Sequence, residues 1–547
     1  MIFRKLPCPT RWLLWSLLFY PSWLAASTIT SQANSGQHQP SGCHPTDVTT
    51  TLAKTGGYLP DFSYAGYQWG ESPTDIDYQL LDVTDYGVIA NDGIDDTPAM
   101  LKALLAAHQI ATPVNLLFPP GTVLLSQPIF INRSFIRLQG AGDGSTVLAF
   151  DRPLLQLPES ILAAYQIDKK KEPPAISPVS WRGGFIWAHP IADGTHGKPE
   201  IELQSGQRGK FEVGMLDTSS LTVGDVITVR WCRLGCDLSS FTEHLMDHQP
   251  VTLGKGFANM NGLVSQYLTV TGIGSDSIRV KEPLAHDIKP DWQVMQLATN
   301  MLEQVHLDGF TIQFPELPYA GHHQEQGFNG VYLHRVSQSS VSNVTVEHAD
   351  NAFFMNDSTT SSLSNIEVRG REGHYSIAIE DSNHILVTDF ALTASMLHNP
   401  SVGWGAELNV YRRGRIEHAR IEQHKGLNQQ NLFESLDVHA QKKRRVFSLG
   451  GNRLYGPTSA AFNTFWDVAI SAAEGQFSAV TDAPSARLVG VDQLPEQYGP
   501  GAFIDSRCIA EKRLESLYIW QLTQRLAEGE NQHVANSNDS APLANPR

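Results

Sequence analysis

A short apolar block that recurs between residues 330 and 410 constrains this chain more than any other feature. Gly330-Val331-Tyr332-Leu333-His334-Arg335 is followed by Ala352-Phe353-Phe354-Met355-Asn356-Asp357, then Ser376-Ile377-Ala378-Ile379-Glu380-Asp381, then Gly405-Ala406-Glu407-Leu408-Asn409-Val410. The blocks start at 330, 352, 376 and 405, so their offsets are 22, 24 and 29. A second series keeps step at 341–346, 363–368, 387–392 and then Ala419-Arg420-Ile421. Two blocks moving together give each coil at least two strands. Coils that stack in this way build a parallel β-helix.

Strand alternation orients the stack. With Val331 and Leu333 inward, Phe353, Met355, Ile377, Ile379, Ala406 and Leu408 also face the core. The outward columns then read Tyr332, Phe354, Ala378, Glu407 and His334, Asn356, Glu380, Asn409. Asp350 and His374 lie one step upstream. Aromatic, histidine and carboxylate groups in register suit the floor of a groove. A plain solvated face is the alternative.

At 547 residues the chain exceeds one ordinary compact core, but a solenoid escapes that limit because its core is linear. A net charge of −16 argues against general nucleic-acid binding, although a local Arg/Lys cluster can still meet an acidic substrate. Arg4 and Lys5, an apolar stretch over 12–23 and Ala25-Ala26 before Ser27 read as an export signal over 1–26. That stretch is too short to span a bilayer, so a secreted or periplasmic protein without stable membrane insertion is expected. Cys43, Cys232, Cys236 and Cys508 follow, and in an oxidising compartment they allow two bridges with three pairings. Cys232 and Cys236 are close enough for a local bridge. No second close pair supports a four-cysteine zinc site.

Residues 27–79 read as a linker that ends in an aromatic-rich segment, Tyr58, Phe62, Tyr64, Tyr67 and Trp69. Such a segment either stacks on sugar faces or seals the open end of a solenoid. A first strand is expected over 80–88. Asp96 or Thr97 then caps a short helix with Pro98 in its first turn and Met100, Leu101, Leu104 and Leu105 as its apolar stripe. Asp92, Asp95 and Asp96 serve the turn and helix start rather than calcium. Short strands follow at 115–118, 122–125, 129–131 and 136–140.

The run Asp85-Tyr86-Gly87-Val88, Asp92-Gly93, Asp95-Asp96-Thr97, with Phe118-Pro119-Pro120-Gly121-Thr122-Val123 and Leu138-Gln139-Gly140-Ala141-Gly142, resembles the opening of the pectate-lyase-like β-helix superfamily. The nearest look is to its polygalacturonase-related group. The resemblance implies an all-β fold, a single-stranded right-handed parallel β-helix. It leaves the reaction open among uronate lyases, glycoside hydrolases, epimerases and phage depolymerases. The clustered Asn-x-Asp, Asp-Asp and Gly-His-Gly signature of polygalacturonase catalysis is missing, so those acids are not carried over. First coils are expected over 80–183, and an inserted antiparallel β subdomain over 184–300 begins with Phe185-Ile186-Trp187. Trp231 and the loop between Cys232 and Cys236 are expected on its surface. The β-helix continues over 301–505, and a cap and tail with a helical run at 514–526 occupy 506–547.

Chemistry is expected beside the repeat. A uronate lyase needs a cation for the carboxylate, a base for the C5 proton and an acid for the leaving oxygen. Arg371, His374 and Tyr375 fit those roles. Tyr332 replaces Tyr375 as the acid if Tyr375 points inward, and His374 bonded to Asp350 or Glu380 is the structural alternative. Lys425 is a rival cation or base. The polar loop with His322, His323 and Glu325 reads as substrate contact, with a metal as its second reading. His334, Asp350, Asn356, Trp404, Asn409, Arg412, Arg413 and His424 complete the expected substrate-binding set. Glu380 and Glu407 in neighbouring coils form a competing hydrolase pair. Asn343, Asn365 and Asp389 recur in register as a turn ladder.

The leading expectation is a polysaccharide lyase acting by β-elimination on an acidic, uronate-containing chain. Calcium is a candidate carboxylate neutraliser where Arg371 or Lys425 does not serve. A glycoside hydrolase is the alternative, and a non-catalytic carbohydrate-binding protein is third.

Overall fold

The computed structural model describes residues 44–539 apart from 143, 165–166, 168–175, 192–199, 234–235, 237, 251–263, 441–445, 452–456, 473–482, 496–497 and 507–513. The expected signal segment, Cys43 and Cys508 lie outside the described residues. Strands coil into a right-handed parallel β-helix with two long parallel sheets. One, here sheet A, runs from Gln79–Asp82 through Val305–Gln313, Ser340–Glu347, Ser362–Arg369, Leu386–Leu392, Val410–Ile416, Leu432–Ala440 and Thr464–Ala472 to Phe503–Asp505. The other, sheet B, stacks Ile129–Ile131, Ile186–Ala188, Asn329–His334, Asn351–Asn356, Gly373–Glu380, Ser401–Gly403, Ile421–His424 and Phe447–Gly450. The core is a continuous aliphatic and aromatic column. Tyr411, Phe433 and Phe465 stack inside it nearly parallel, 5.3 and 5.2 Å apart.

The sheet A strands bend where the ladder was expected. Asn343, Asn365 and Asp389 take left-handed φ values of 54°, 50° and 57°, a conformation that short polar side chains tolerate. Asn365 Nδ2 donates to Asn343 Oδ1 at 2.7 Å, and Asn343 Nδ2 donates to Asp308 Oδ1 at 2.8 Å. The bend resets the inward parity, so Val341, Val344 and Val346 are all buried.

The fourth coil corrects the repeat register. Ala378 pairs with Ser401 and Glu380 with Gly403, so the block at 405–410 is not the fourth sheet B strand. Glu407 instead bridges Asn383 and Gln429, further round the coil. Val387 continues into Tyr411, not Ala419, and Ile421 belongs to sheet B. Apolar alternation recurs in several parts of one coil, so it gave the wrong member although the coil length held, Phe354 pairing with Ala378 and Ala378 with Ser401.

Helix Thr97–Gln109 covers the first coil, and Asp95 Oδ1 accepts from Thr97 N at 3.0 Å. Its buried face is Met100, Ala103, Leu104 and Ala107, while Leu101 and Leu105 are exposed. Small alanines let the helix sit close to the coil, which rotates the contact stripe away from the two leucines.

Phe185-Ile186-Trp187 is part of the solenoid, because Ile186–Ala188 pairs in parallel with both Ile129–Ile131 and Asn329–His334. The insertion itself is a closed antiparallel barrel of Ile201–Ser205, Glu212–Met215, Val226–Arg230, Ser265–Ile273, Ser277–Val280 and Met295–Ala298. Trp231 lies in its interior, fully buried, with Nε1 donating to Asp287 O at 2.8 Å. The indole fills the barrel, so it is not a surface feature. Cys232 and Cys236 form a disulfide. The barrel shares its core with Leu427 and Ala460 of the solenoid, which welds the two together.

The aromatic-rich segment runs along the flank of the coils, not across their open end. Gly66 N donates to His384 O at 2.9 Å, Tyr67 N to Ser362 Oγ at 2.8 Å and Gln68 N to Gln338 Oε1 at 2.9 Å. Helix Leu517–Asp539 packs beside it, and Leu517, Tyr518 and Leu522 bury Leu386, Val410, Leu432 and Trp466 together with Phe62 and Ala65. Among the described residues no helix is long and apolar enough to cross a membrane.

Candidate functional site

The outward face of sheet B carries the chemistry, but most of the expected wall is covered. Tyr332, Phe354 and Ala378 are 5%, 1% and 1% exposed. Trp187, Tyr332 and Phe354 form an edge-to-face column with centroids 5.3 and 5.9 Å apart, so these rings stack on one another in place of a sugar. Burial also pushes the Tyr332 phenol well above its ordinary pKa, which removes it as a ready proton donor.

At the C-terminal ends of the same strands carboxyl groups gather, with Asp357 half-buried and Glu380 buried. Asn356 pairs with Glu380 across neighbouring coils, so Asp357 and Asp381, each next along its strand end, are neighbours too. Both aspartates have left-handed backbones, with φ of 49° and 46°, in line with Arg335 and Trp404 in the flanking coils. Non-glycine residues held this way in successive turns fix where the carboxylates point. Asp357 Oδ2 lies 2.9 Å from His334 Nε2, and Tyr267 of the barrel donates to Asp357 Oδ1 at 3.2 Å. His334 is held in turn by His189, with Nδ1 atoms 2.8 Å apart and rings stacked. Asn356 Nδ2 donates to Glu380 Oε2 at 3.4 Å.

The three carboxyl groups are pushed in different directions. Burial raises Asp357, but His334, Arg335 and Tyr267 outweigh it and hold the group below its ordinary value. Asp381 is raised well above its ordinary value by burial and by the charges of Asp357 and Glu380. Burial raises Glu380 as well; His424 opposes it and Glu422 adds to it. One carboxyl lowered and two raised side by side are pushed apart by environment, as an acid and base pair requires.

At the N-terminal ends of the strands lies a second, histidine-rich cluster. His374 is fully buried, with rings of His322 and His398 at 4.8 and 5.0 Å. Glu325 accepts from Tyr319 Oη at 2.7 Å, from His323 N at 3.0 Å and from Ser180 Oγ, and its Oε1 lies 3.2 Å from His374 Nδ1. His398 Nδ1 is 2.8 Å from Glu422 Oε2, off the line of a good hydrogen bond, and Ser401 Oγ donates to the same oxygen at 3.0 Å.

Residues 80–169 match the family model described as rhamnogalacturonase A/epimerase, pectate lyase-like. The resemblance seen in the opening motif is borne out there. No curated protein sequence gives a match. Among solved structures, the tailspike gp61 of Pseudomonas phage phi297 is 11% identical, with 77% of this chain and 73% of that chain covered and a TM-score of 0.44. The tailspike gp49 of Pseudomonas phage LKA1 is 11% identical, covering 75% and 70%, with a TM-score of 0.43. A hyperthermoactive exopolygalacturonase from Thermotoga maritima is 10% identical, covering 77% and 82%, with a TM-score of 0.34. At TM-scores below 0.5 none of these bears on the reaction.

Several expected site residues have other work. Arg371 is buried against Asp350, with Nη2 to Oδ1 at 2.8 Å, and Asp350 Oδ2 accepts from Gly327 N and Phe328 N at 2.9 and 3.0 Å. That ion pair neutralises the guanidinium internally, so it does not present a cation to a substrate carboxylate. Tyr375 is buried and stacks on His398 at 4.5 Å, and burial pushes its phenol far up. Glu407 is fully buried against His286 Nε2 at 3.0 Å and Gln429 Nε2 at 3.1 Å under the barrel, so it is no partner for Glu380. Asn409 belongs to a buried ladder: its Oδ1 accepts from Ile385 N, and its Nδ2 donates to Asn431 Oδ1. Arg412 pairs with buried Glu434 at 3.1 Å, and Arg413 pairs with Asp389; both lie on sheet A, away from the carboxyl cluster. Their strand places them there because 410–416 belongs to the other sheet.

The structure does bring His334, Asn356, Glu380, His424 and Trp404 together at the strand ends, with His424 and Trp404 rings 6.1 Å apart. Lys425, next to His424, donates to Thr458 Oγ1 at 3.1 Å. Asp357 and Asp381 were missed, although each closes one of the repeated blocks. An acid at the same place in successive coils was the available signal. A concavity of about 1000 Å³ lies on the outer face of sheet A and is lined by Asn343, Asn365, Glu367, Asp389, Arg413 and Asp437. Its exposed charges pair with one another, as in Arg369 with Glu347 and Glu367, so size alone does not make it the reactive site.

Proposed function

We propose that this chain is a polysaccharide-processing enzyme that hydrolyses glycosidic bonds at the Asp357, Glu380 and Asp381 cluster. The observation that carries the reading is three carboxyl groups at adjacent strand ends in unlike surroundings: Asp357 lies 2.9 Å from His334 Nε2 and accepts from Tyr267, and these two with Arg335 hold it below its ordinary value, while burial raises Glu380 and Asp381 above theirs. A protonated carboxyl donates to the leaving glycosidic oxygen, while the carboxylate activates water or attacks the anomeric carbon. Trp404 beside the cluster offers a face for a sugar ring. The match of the first coils to a rhamnogalacturonase and epimerase family supports a glycan as substrate. An acidic, uronate-containing chain is the finer proposal, supported by Arg335 and Arg230 acting on the cluster. A lyase reading is less well supported, because its expected cation and acid, Arg371 and Tyr375, are both buried with partners. A secreted or periplasmic site of action remains part of the proposal, supported by the disulfide between Cys232 and Cys236.

The test is incubation of the full chain with a panel of uronate-containing and neutral polysaccharides, following reducing ends and unsaturated uronate together. New reducing ends without the ultraviolet absorbance of an unsaturated product are expected. Unsaturated product lost in His374→Ala but kept in Asp357→Asn would overturn the hydrolytic assignment.

A further inference from the structure

The histidine cluster does work that the carboxyl cluster does not explain. The ligating nitrogens of His322, His374 and His398 all lie within 4.8 Å of one another. His374 is fully buried, and neither of its ring nitrogens makes a well-aligned hydrogen bond, its polar neighbours being Glu325 Oε1 at 3.2 Å from Nδ1 and the Ser180 backbone. A buried imidazole left in that state forfeits the bonds it makes in water, which calls for a ligand. Two fully buried carboxylates stand behind it, Glu325 toward His374 Nδ1 at 3.2 Å and Glu422 toward His398 Nδ1 at 2.8 Å. Among the described residues neither carboxylate makes an ion pair with Lys or Arg. The cluster therefore combines three imidazoles with two buried carboxyl groups that no Lys or Arg pairs directly, the nearby Arg420 acting on His322 and His398 only through its charge.

We propose that His322, His374 and His398 bind a divalent transition metal of the zinc class, with Glu325 and Glu422 orienting two of the three imidazoles. Carboxylates at Nδ1 leave Nε2 of His374 and His398 for the ion, the usual arrangement behind a metal-bound histidine. Three imidazoles suit Zn²⁺ or its neighbours and do not suit Ca²⁺, which takes oxygen ligands. Metal–nitrogen bonds of about 2.0–2.1 Å require the three nitrogens to close in by on the order of 1 Å. His322 supplies that movement, because it is exposed and follows Gly321, whose φ is +106°. With three protein ligands a tetrahedral ion keeps a fourth position, on the exposed side of His322, for water or a substrate oxygen. The proposal is independent of the hydrolytic reading, since the cluster shares no residue with Asp357, Glu380 and Asp381.

The experiment uses the full chain after dialysis against a chelator. Zn²⁺ is titrated by calorimetry, and Co²⁺ is titrated with its visible absorption as the readout of a tetrahedral site. One ion per chain is expected, with the intense visible bands of four-coordinate Co²⁺, and excess Ca²⁺ does not displace it. His322→Ala, an exposed change that keeps the fold, is expected to weaken binding at least 10-fold. His398→Ala abolishes the tetrahedral bands, and Glu422→Gln weakens binding about 10- to 100-fold. Circular dichroism of each variant identifies loss of fold. No Zn²⁺ or Co²⁺ bound by the folded chain, or binding that His322→Ala and His398→Ala leave unchanged, would sink the assignment. Displacement by Ca²⁺ would do the same.

Discussion

Glu380 and Asp357 differ by what surrounds them, and that difference sets an expected pH profile. The reaction needs Asp357 ionised and Glu380 or Asp381 protonated, so kcat/KM should fall on the acid side as Asp357 protonates. It should fall on the alkaline side as the raised carboxyls ionise. Glu380→Gln should lower kcat about 100- to 10,000-fold, measured as reducing ends. The same change bears on stability with a definite sign. A carboxyl whose folded pKa is raised contributes stability below its unfolded pKa and loses it as pH rises through the folded value. Glu380→Gln should therefore leave Tm unchanged at low pH and unchanged or higher at neutral pH. Glu422 runs the other way: burial raises it, but His398, His424 and Ser401 outweigh this and hold it down to about 2. Its contribution is present above the unfolded value and is lost as pH falls toward 2, so Glu422→Gln should flatten the acid limb of a Tm-versus-pH series. Arg371 offers a cleaner decision. As one half of a buried ion pair, Arg371→Ala should cost about 3–5 kcal/mol in urea unfolding. Lost activity at full stability would instead restore it to the substrate.

At the scale of one coil, side-chain ladders carry stability across the turns. Asn409, Asn431 and Asn463 are fully buried; Asn431 Oδ1 accepts from Asn409 Nδ2 at 3.0 Å, and Asn431 N donates to Asn463 Oδ1 at 2.9 Å. Asn431→Ala leaves several buried polar groups unpaired at about 1–3 kcal/mol each, so a Tm loss well beyond that of an exposed asparagine is expected in calorimetry. The left-handed ladder behaves differently. Asn365→Gly should cost little more than the exposed hydrogen bond, whereas Asn365→Ala adds about 1 kcal/mol of backbone strain. These ladders show what a sequence exposes and what it hides. The repeat of 341, 363 and 387 was legible, because inward valine and leucine at fixed offsets leave a strong period. The fourth coil was misread, because the true strand Ser401–Gly403 is short and weakly apolar, so the later block at 405–410, which carries Glu407 beneath the barrel, gave the stronger pattern. Outwardness was legible as parity, but not as exposure: alternation says that Tyr332 and Phe354 leave the core, and only packing says that neighbouring rings cover them. His374 and His398 stand one repeat apart, but His322 comes from a loop outside the repeat, so only stacking brings the three together.

Across the whole molecule, two ends of the chain fasten one another. Tyr518 Oη donates to Ala65 O at 2.8 Å, Arg525 Nη2 donates to Ser63 O at 2.9 Å, and Arg525 Nη1 reaches Glu71 at 2.6 Å. Arg487 Nη2 donates to Tyr58 O at 2.9 Å as well. Removing the helix from Leu517 onward would uncover Leu386, Val410, Leu432 and Trp466, each worth roughly 1.5–3 kcal/mol when buried. A lower Tm and concentration-dependent light scattering are the expected result. The clasp also bears on the order in which the molecule is made. A solenoid needs only its previous coil, so it can grow in step with synthesis, yet the segment at 58–71 docks on coils at 338–384 and gains its last contacts only with Tyr518 and Arg525. A segment upstream of every coil is thus among the last to lock. Reversing the process, loss of one end frees the other, so heat should dismantle coils and clasp in one cooperative step where an open-ended stack would fray from its tips.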